Sequence, residues 1–185
     1  MTQLFLVRHG ATEWSGSGRH TSHTELPLLA SGEEQARALA PRLAETDFAL
    51  VLTSPRERAR RTAALAGFPD AIVDEDLVEW DYGDYEGITT AEIRSHDPGW
   101  TVWRGQTPGG ETRAAITERL DRIVARARAI DGPVLAFAHG HCLRALAARW
   151  LGLPVSEGRL WRLDTGTLSV LGHEREQPVL LRWNA

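Results

Sequence analysis

Four short apolar runs, each ended abruptly by polar residues, constrain the fold of this 185-residue chain more than any other feature. They lie at residues 4–7, 49–53, 71–73 and 133–138. Apolar runs of this length are typical of strands that are buried on both faces of a parallel sheet. Because stretches of helical periodicity separate them, the sequence predicts a three-layer α/β/α sandwich with a mostly parallel central sheet.

Four helices are predicted, at residues 32–44, from 55 to about 66, from 112 to about 130 and at 141–151. Ser31 and Glu34 have the spacing of a capping box for the first helix. Ser54 and Pro55 are placed to cap the second, and the third starts at Thr112. Three late apolar runs predict edge strands that close the sheet, near residues 160–163, 168–171 and 179–183.

Residues 77–110 interrupt the alternation of strands and helices. The segment holds both tyrosines and three of the seven tryptophans, and it has no clear periodicity. A second irregular segment, rich in Gly, Ser and Thr, occupies residues 15–25. We interpret residues 77–110 as a lid-like insertion within a single domain of residues 1–185, a length that suits one hydrophobic core.

Clusters of polar residues stand close behind the predicted strands. Arg8, His9 and Gly10 follow the first strand, and residues 54–61 follow the second. Two further clusters are Glu79-Trp80-Asp81-Tyr82 and His139-Gly140-His141. Because ligands of open α/β sheets bind at the carboxyl ends of the strands, these clusters are expected to converge at one edge of the sheet.

The composition excludes several classes of function. All 21 cationic side chains are arginines, so chemistry that needs a lysine amine, such as Walker-A phosphate loops and Schiff bases, is excluded. The net charge of −4 gives no indication of nucleic-acid binding. No apolar run approaches the roughly 18 residues that a membrane span needs. A single cysteine, Cys142, and the lack of a recognisable signal peptide favour a cytoplasmic protein.

The polar clusters contain the groups that phosphoryl transfer needs, which are a nucleophile, cationic donors and an acid for the leaving group. His9 is the candidate nucleophile, and the next carbonyl along the chain is available to hold its other ring N–H. Arg8 and Arg58 offer guanidinium groups that suit phosphate, and His139 adds a donor if it is protonated. Glu79 is the candidate proton donor.

Other chemistries have weaker support in the sequence. His139 and His141 resemble a metal-binding pair, but no third ligand is evident, so we predict no metal. Cys142 lacks the arginine that a cysteine phosphatase loop needs, because position 148 is alanine. Residues 72–78 resemble the aspartate-nucleophile motif of haloacid-dehalogenase-type phosphatases, but those enzymes usually need a lysine and Mg²⁺.

Five segments match a known family pattern in order. They are residues 8–14, residues 27–36, residues 54–63, residues 77–87, and residues 109–111 with 138–140. With these segments the chain resembles the histidine phosphatase superfamily, which includes cofactor-dependent phosphoglycerate mutases and many phosphatases. The resemblance covers nearly the whole chain and is closest to the branch of sedoheptulose bisphosphatase and acid-phosphatase-like proteins.

The resemblance implies that His9 becomes phosphorylated and that Glu79 acts first as general acid and then as base. Arg8, Arg58 and His139 then form the phosphate pocket. It also implies a reaction on a small phosphorylated substrate without a metal or other cofactor. Seven further residues are candidates for binding the substrate: Ser15, Thr21, Ser22, Tyr82, Arg104, Gly140 and His141.

The preferred function is that of a phosphomonoester hydrolase that works through a phosphohistidine. Two alternatives stay open, a cofactor-dependent phosphoglycerate mutase and a non-catalytic relative that binds phosphorylated ligands. Mutases of the family carry a longer insertion and C-terminal tail, so this chain is expected to admit water to its site. A small phosphorylated substrate is the expected partner and a homo-oligomer is a further candidate, whereas nucleic acid and membrane are not expected.

Overall fold

The computed structural model describes residues 2–185, which form a six-stranded sheet with helices on both faces. The strands are β1 (Leu4–Arg8), β2 (Leu50–Thr53), β3 (Ile72–Val73), β4 (Val134–Ala138), β5 (Leu168–Glu174) and β6 (Gln177–Arg182). Their order in the sheet is β3-β2-β4-β1-β5-β6. Strands β1 to β4 are mutually parallel, β5 is antiparallel to β1, and β6 is antiparallel to β5. The predicted mostly parallel three-layer sandwich is confirmed.

Helices cover both faces of the sheet. They are α1 (Glu13–Ser17), α2 (Ala30–Leu43), α3 (Glu57–Leu65), α4 (Thr90–Arg94), α5 (Arg113–Arg128) and α6 (Gly140–Trp150), with 3₁₀ turns at Glu75–Leu77, Gly83–Tyr85 and Val155–Leu160. Alternate side chains of β1 point to opposite faces. Leu4 and Leu6 pack in the cluster that includes α5 and α6, whereas Val7 packs with residues of α2 and α3.

The start of α2 differs from the prediction because backbone packing sets it. The helix begins at Ala30, with no side-chain cap, so the predicted Ser31 capping box is wrong. Gly32 lies directly against the backbone of Ala11, where an added Cβ would clash. The Leu29 N–H donates to the Ala11 carbonyl oxygen at 2.9 Å, and this contact fixes where the chain turns into the helix.

Two other predictions at element ends are corrected by tertiary contacts. Helix α3 begins at Glu57 without a side-chain cap, and the Ser54 hydroxyl lies 2.8 Å from His139 Nε2 instead of capping the helix. The apolar run at 160–163 is not a strand. The Leu163 carbonyl oxygen accepts a hydrogen bond from Arg8 Nη1 at 2.5 Å, and residues 161–163 lie outside the sheet.

Residues 77–110 form 3₁₀ turns, the short helix α4 and irregular backbone, in agreement with the irregular segment that the sequence predicts. Trp80 and Trp100 are buried there, and Glu86 accepts hydrogen bonds from the backbone N–H groups of Ser22 and Thr24. The segment is therefore tied to the loop that follows α1. Among residues 2–185, no helix has the length and apolar character needed to cross a membrane.

Candidate active site

The carboxyl ends of neighbouring strands bring the predicted polar clusters together. Strands β1 and β4 are paired in parallel with Arg8 opposite Ala138, so the residues that follow them emerge side by side. The ring centroids of His9 and His139 are 5.2 Å apart. The sheet register thus places two sequence-distant histidines in contact.

The His9 ring is held in one tautomer and one charge state. Its Nδ1 lies 2.8 Å from the Gly10 carbonyl oxygen, which can only accept, so Nδ1 carries the proton and Nε2 carries the lone pair. Burial and the neighbouring Arg8 and Arg58 guanidinium groups hold the pKa of His9 well below its ordinary value of 6.5. A neutral imidazole with an available Nε2 is the nucleophilic form.

Thr62 supports the turn after β1, a role that is not predicted from the sequence. The Gly10 N–H donates to Thr62 Oγ1 at 3.1 Å, and that hydroxyl donates to the Arg58 carbonyl oxygen at 2.7 Å. Gly10 also packs directly on the backbone of Gly32, where an added Cβ would clash. Backbone contacts from α2 and α3 therefore fix the position of His9.

The His139 ring is buried between the Ser54 hydroxyl and the His9 ring. Burial, Arg58 and His9 hold the pKa of His139 well below 6.5, so its ring is neutral. Its Nε2 lies 2.8 Å from the Ser54 hydroxyl. When that hydroxyl donates, Nδ1 carries the ring proton. Nδ1 is buried and has no hydrogen-bond partner among residues 2–185.

Arg8 and Arg58 bring two guanidinium groups to the same place. Arg58 is fully buried and donates to the carbonyl oxygens of Thr21, Ser22 and Thr24 at 3.0 to 3.2 Å, which ties it to the loop after α1. Burial lowers the pKa of both arginines, as expected for cations with little access to water. Arg8 Nε and Arg58 Nε are buried without a hydrogen-bond partner among the described residues.

The Glu79 carboxylate lies at the N-terminus of α6. Its Oε1 accepts the backbone N–H groups of Cys142 at 2.7 Å and Trp80 at 2.8 Å, and its Oε2 accepts that of His141 at 3.1 Å. Three backbone N–H donors thus hold both carboxylate oxygens in place at the N-terminal end of α6. Glu79 also lines the cavity in front of His9.

A buried ion pair positions the segment that carries Glu79. Arg119 of α5 makes a bidentate contact with Glu111, with N–O distances of 2.6 and 2.8 Å. The same guanidinium donates to the carbonyl oxygens of Asp76 and Val78 at 2.7 and 3.0 Å. Both side chains of the pair are nearly inaccessible, with 8% and 13% exposed. No local sequence pattern marks Arg119 as a positioning residue, because its partners lie 8 to 43 residues away along the chain.

Cys142 has no part in this chemistry. Its thiol is fully buried, and burial raises its pKa to about 12. A thiol that stays protonated is a poor nucleophile. The expectation of an inert cysteine at the start of α6 agrees with this environment.

A cavity of about 210 Å³ opens in front of His9. Five of the seven predicted substrate-binding residues line it: Ser15, Thr21, Tyr82, Gly140 and His141. Ser22 and Arg104 do not. The Ser22 hydroxyl donates to Glu86 Oε2 at 2.6 Å, and Arg104 is exposed on the insertion, away from the residues that line the cavity.

Several residues that sequence analysis did not single out also line the cavity, among them Arg19, His20 and Arg144. Arg144 lies with its guanidinium carbon 4.7 Å from the centre of the Trp103 ring and donates to the Gly158 carbonyl oxygen at 2.9 Å. Arg144 is five residues beyond His139 on α6, and the position of the helix relative to the insertion turns it toward the cavity. No local sequence pattern distinguishes it from the other arginines.

The comparisons with known proteins agree with this arrangement. The model of the histidine phosphatase superfamily (branch 1) matches residues 4–185, so the chain belongs to this family. An acid phosphatase of Mycobacterium tuberculosis is 42% identical over 176 residues, which are 93% of this chain and 87% of that protein. Sedoheptulose 1,7-bisphosphatase of Saccharomyces cerevisiae is 38% identical over 84% of this chain and 69% of its own length.

One solved structure is also closely similar to this chain in three dimensions. It is that of an open reading frame product from Mycobacterium tuberculosis, which is 40% identical to this chain and superposes with a TM-score of 0.95. The match covers 99% of this chain and 97% of the other. The family and the phosphatase names among the relatives identify this chain as a histidine phosphatase.

Proposed function

We propose that the chain hydrolyses small phosphomonoesters in two steps through a phosphohistidine at His9. In the first step, His9 Nε2 attacks phosphorus, the ester P–O bond breaks, and Glu79 gives its proton to the leaving oxygen. In the second step, water attacks phosphorus and gives a proton to Glu79 while the N–P bond breaks. Inorganic phosphate leaves, and His9 and Glu79 return to their initial states.

One observation carries this proposal. Among residues 2–185, some buried polar atoms have no hydrogen-bond partner, and three of them, Arg8 Nε, Arg58 Nε and His139 Nδ1, belong to residues grouped around His9. Buried donors normally have acceptors, and a phosphoryl group supplies oxygens that accept from all three. We call Arg8, His9, Arg58 and His139 the phosphate pocket. The proposed charge stabilisation by fixed, desolvated donors is the main source of rate in phosphoryl transfer.

The environment of Glu79 suits both of its proposed roles. Three backbone N–H groups hold the carboxylate in one orientation, and the charged form is the base that the second step needs. The first step uses the same group in its protonated form, as the acid for the leaving oxygen. The same group therefore alternates between two states during one turnover.

Access of water favours hydrolysis over the mutase alternative. The cavity reaches the surface beside Gly18 and Arg19, both of which are exposed. A mutase must shield its phosphohistidine until the phosphate returns to the substrate. We further propose that residues 1–185 work as a single domain in the cytoplasm, with residues 77–110 covering one side of the site.

The proposal is tested by trapping the intermediate. Protein mixed with a ³²P-labelled phosphomonoester and quenched in alkali should retain label on His9, because phosphohistidine is stable in base. His9→Asn should lose both the label and the phosphate release, whereas His96→Asn, an exposed histidine, should keep both. Phosphate release that persists in His9→Asn would reject the covalent mechanism.

Two further outcomes discriminate the alternatives. With 3-phosphoglycerate and 2,3-bisphosphoglycerate, isomerisation that outruns phosphate release would establish a mutase instead. Tight binding of phosphate esters without any turnover of a broad substrate panel would establish a non-catalytic binding protein. Hydrolysis as the fastest reaction is the expected result.

A further inference from the structure

One wall of the cavity is polar but carries no charge. His20, Tyr82 and His141 line it beside the phosphate pocket. His20 is 7% exposed and Tyr82 is 2% exposed, so both are part of the rigid interior and not of a mobile surface. The mechanism above uses none of these three side chains.

The hydrogen bonds of His20 fix what this residue can bind. Its Nδ1 lies 2.8 Å from the Ile88 carbonyl oxygen, so Nδ1 carries the ring proton. Burial lowers the pKa of His20, and the neutral ring therefore keeps a lone pair on Nε2. Among residues 2–185, the His20 ring makes its hydrogen bond through Nδ1, and the residue lines the cavity. In this state it accepts a hydrogen bond but offers none.

His141 and Tyr82 form a neutral pair next to His20. The Tyr82 hydroxyl lies 2.6 Å from His141 Nδ1. Burial lowers the pKa of His141 and raises the pKa of Tyr82, so neither group carries a charge near neutral pH. The His20 and His141 rings are nearly parallel, with an interplanar angle of 11° and centroids 6.2 Å apart.

Aromatic neighbours hold the two imidazole rings in place. The edge of Trp100 meets His20 at a centroid distance of 5.3 Å, and Trp103 meets His141 at 5.2 Å. Tyr82 packs on His20 at 4.7 Å. Because buried rings in such contacts cannot swing away, the two Nε2 atoms keep fixed positions along the cavity wall.

We propose that His20, Tyr82 and His141 form a hydroxyl subsite that hydrogen-bonds to hydroxyl groups on the alcohol part of the substrate. The preferred substrates are then phosphorylated polyols and sugars. The lone pair of a neutral imidazole attracts an O–H donor and repels a carboxylate or a second phosphate oxygen. A hydroxyl group on the substrate gives the polar atoms of the subsite a hydrogen-bond partner, whereas a purely apolar chain leaves those atoms unpaired. This inference rests on the proposed phosphatase function.

A matched pair of esters tests the subsite. Glycerol 3-phosphate and n-propyl phosphate have the same carbon chain and differ only in two hydroxyl groups. The wild-type protein should prefer glycerol 3-phosphate in kcat/KM by about tenfold or more, as expected when buried polar groups gain or lose their partners. His20→Phe should lower kcat/KM for glycerol 3-phosphate much more than for n-propyl phosphate and bring the ratio to within about threefold of one.

Conservative variants separate hydrogen bonding from a loss of structure. The amide of His20→Gln can accept a hydrogen bond near the Nε2 position, so this variant should recover part of the preference. Tyr82→Phe keeps the ring and removes the hydroxyl that contacts His141, and it should also reduce the ratio. His96→Phe, at an exposed site, should leave the ratio unchanged. A wild-type ratio near one, or an unchanged ratio in both His20→Phe and Tyr82→Phe, would overturn the subsite.

The test distinguishes the subsite from the proposed function. If the wild-type protein hydrolyses neither these esters nor any member of the broad substrate panel, the phosphatase proposal fails. Calorimetric binding of the same two esters to His9→Asn measures the hydroxyl preference without turnover, and the subsite predicts tighter binding of glycerol 3-phosphate by about tenfold. Equal affinities in that experiment would overturn the subsite whatever the protein catalyses.

Discussion

The phosphate pocket, through Arg8 and His9, and the hydroxyl subsite line the same cavity but are built in opposite ways. In the phosphate pocket, Arg8, His9 and His139 come from the ends of paired strands, and cationic donors surround a neutral nucleophile. In the hydroxyl subsite, His20 and Tyr82 come from irregular segments that aromatic packing holds, and no group is charged. The contrast indicates that the sheet positions the residues for phosphoryl transfer, whereas the irregular segments around it determine which alcohol part of the substrate binds.

Removing Arg58 should have the largest effect on kcat/KM, and this effect should not depend on the alcohol part of the substrate. Arg58→Ala deletes a buried cation and releases the carbonyl oxygens of residues 21–24, so kcat/KM should fall by about 10³-fold or more. Steady-state kinetics should show the same loss for glycerol 3-phosphate and n-propyl phosphate. Arg60→Ala, on the exposed side of α3, is the matched control. A large change in the ratio of the two esters would contradict the separation of the two regions.

Arg119 supports the phosphate pocket from outside, so its loss should appear in stability as well as in turnover. Arg119→Met leaves the Glu111 carboxylate buried without its partner and frees the segment that carries Glu79. The free energy of unfolding should fall by about 3 kcal/mol or more, and kcat should fall with it. Urea denaturation checks this against Arg122→Met, which breaks an exposed pair with Asp76 and should cost less than about 1 kcal/mol. Equal costs in the two variants would show that burial of the Arg119 pair has no special role.

Both regions depend on neutral imidazoles, and this gives a shared pH dependence. The pKa values of His9, His20, His139 and His141 are lowered in the folded protein from an ordinary value of 6.5. Below that value the unfolded chain binds more protons than the folded one, so stability falls as pH falls toward the folded-state pKa values. Between about pH 7 and pH 5.5 the loss should be about 1 kcal/mol for each of His9, His139 and His141, whose pKa values lie well below 6.5.

Histidine variants show whether the two regions contribute separately to the pH dependence of the unfolding free energy. Unfolding free energies measured at a series of pH values should have a shallower slope in His139→Gln, from the phosphate pocket, and in His141→Gln, from the hydroxyl subsite. Each variant should lose the contribution of about one proton. His96→Gln is the exposed control. Slopes that equal the wild-type slope in both variants would contradict the assignment of neutral rings.

The smallest effect is expected at the boundary between the two regions. Gly140 lies against the Arg8 guanidinium, and an added Cβ would approach Arg8 Cζ and Nε at 3.3 Å. Gly140→Ala should displace this cation by a few tenths of an ångström and lower kcat/KM a few-fold, about 1 kcal/mol in the transition state. The loss should be equal for both test esters. A change confined to glycerol 3-phosphate would place Gly140 in the hydroxyl subsite instead.

The sequence by itself determined the sheet and the residues at its strand ends. Apolar runs and the polar clusters behind them are local patterns, and the parallel arrangement of consecutive strands brings Arg8, His9 and His139 together. The start of a helix predicted at Thr112 also follows from local chemistry, because the Thr112 hydroxyl accepts the Ala115 N–H at 3.1 Å. Such features depend on residues within one turn or one strand, so a linear reading can find them.

The tertiary structure alone decided which polar groups face the cavity. His20 is fixed by Ile88, 68 residues along the chain, and Arg119 is fixed by segments 8 to 43 residues away. Ser31 failed as a cap because the contact between Gly32 and Ala11 sets the start of α2. Arg104 was predicted at the site, yet Arg144 occupies the cavity wall, because packing between α6 and the insertion orients one arginine inward and leaves the other in solvent. Long-range contacts of this kind have no local signature, and they decide where otherwise equivalent side chains point.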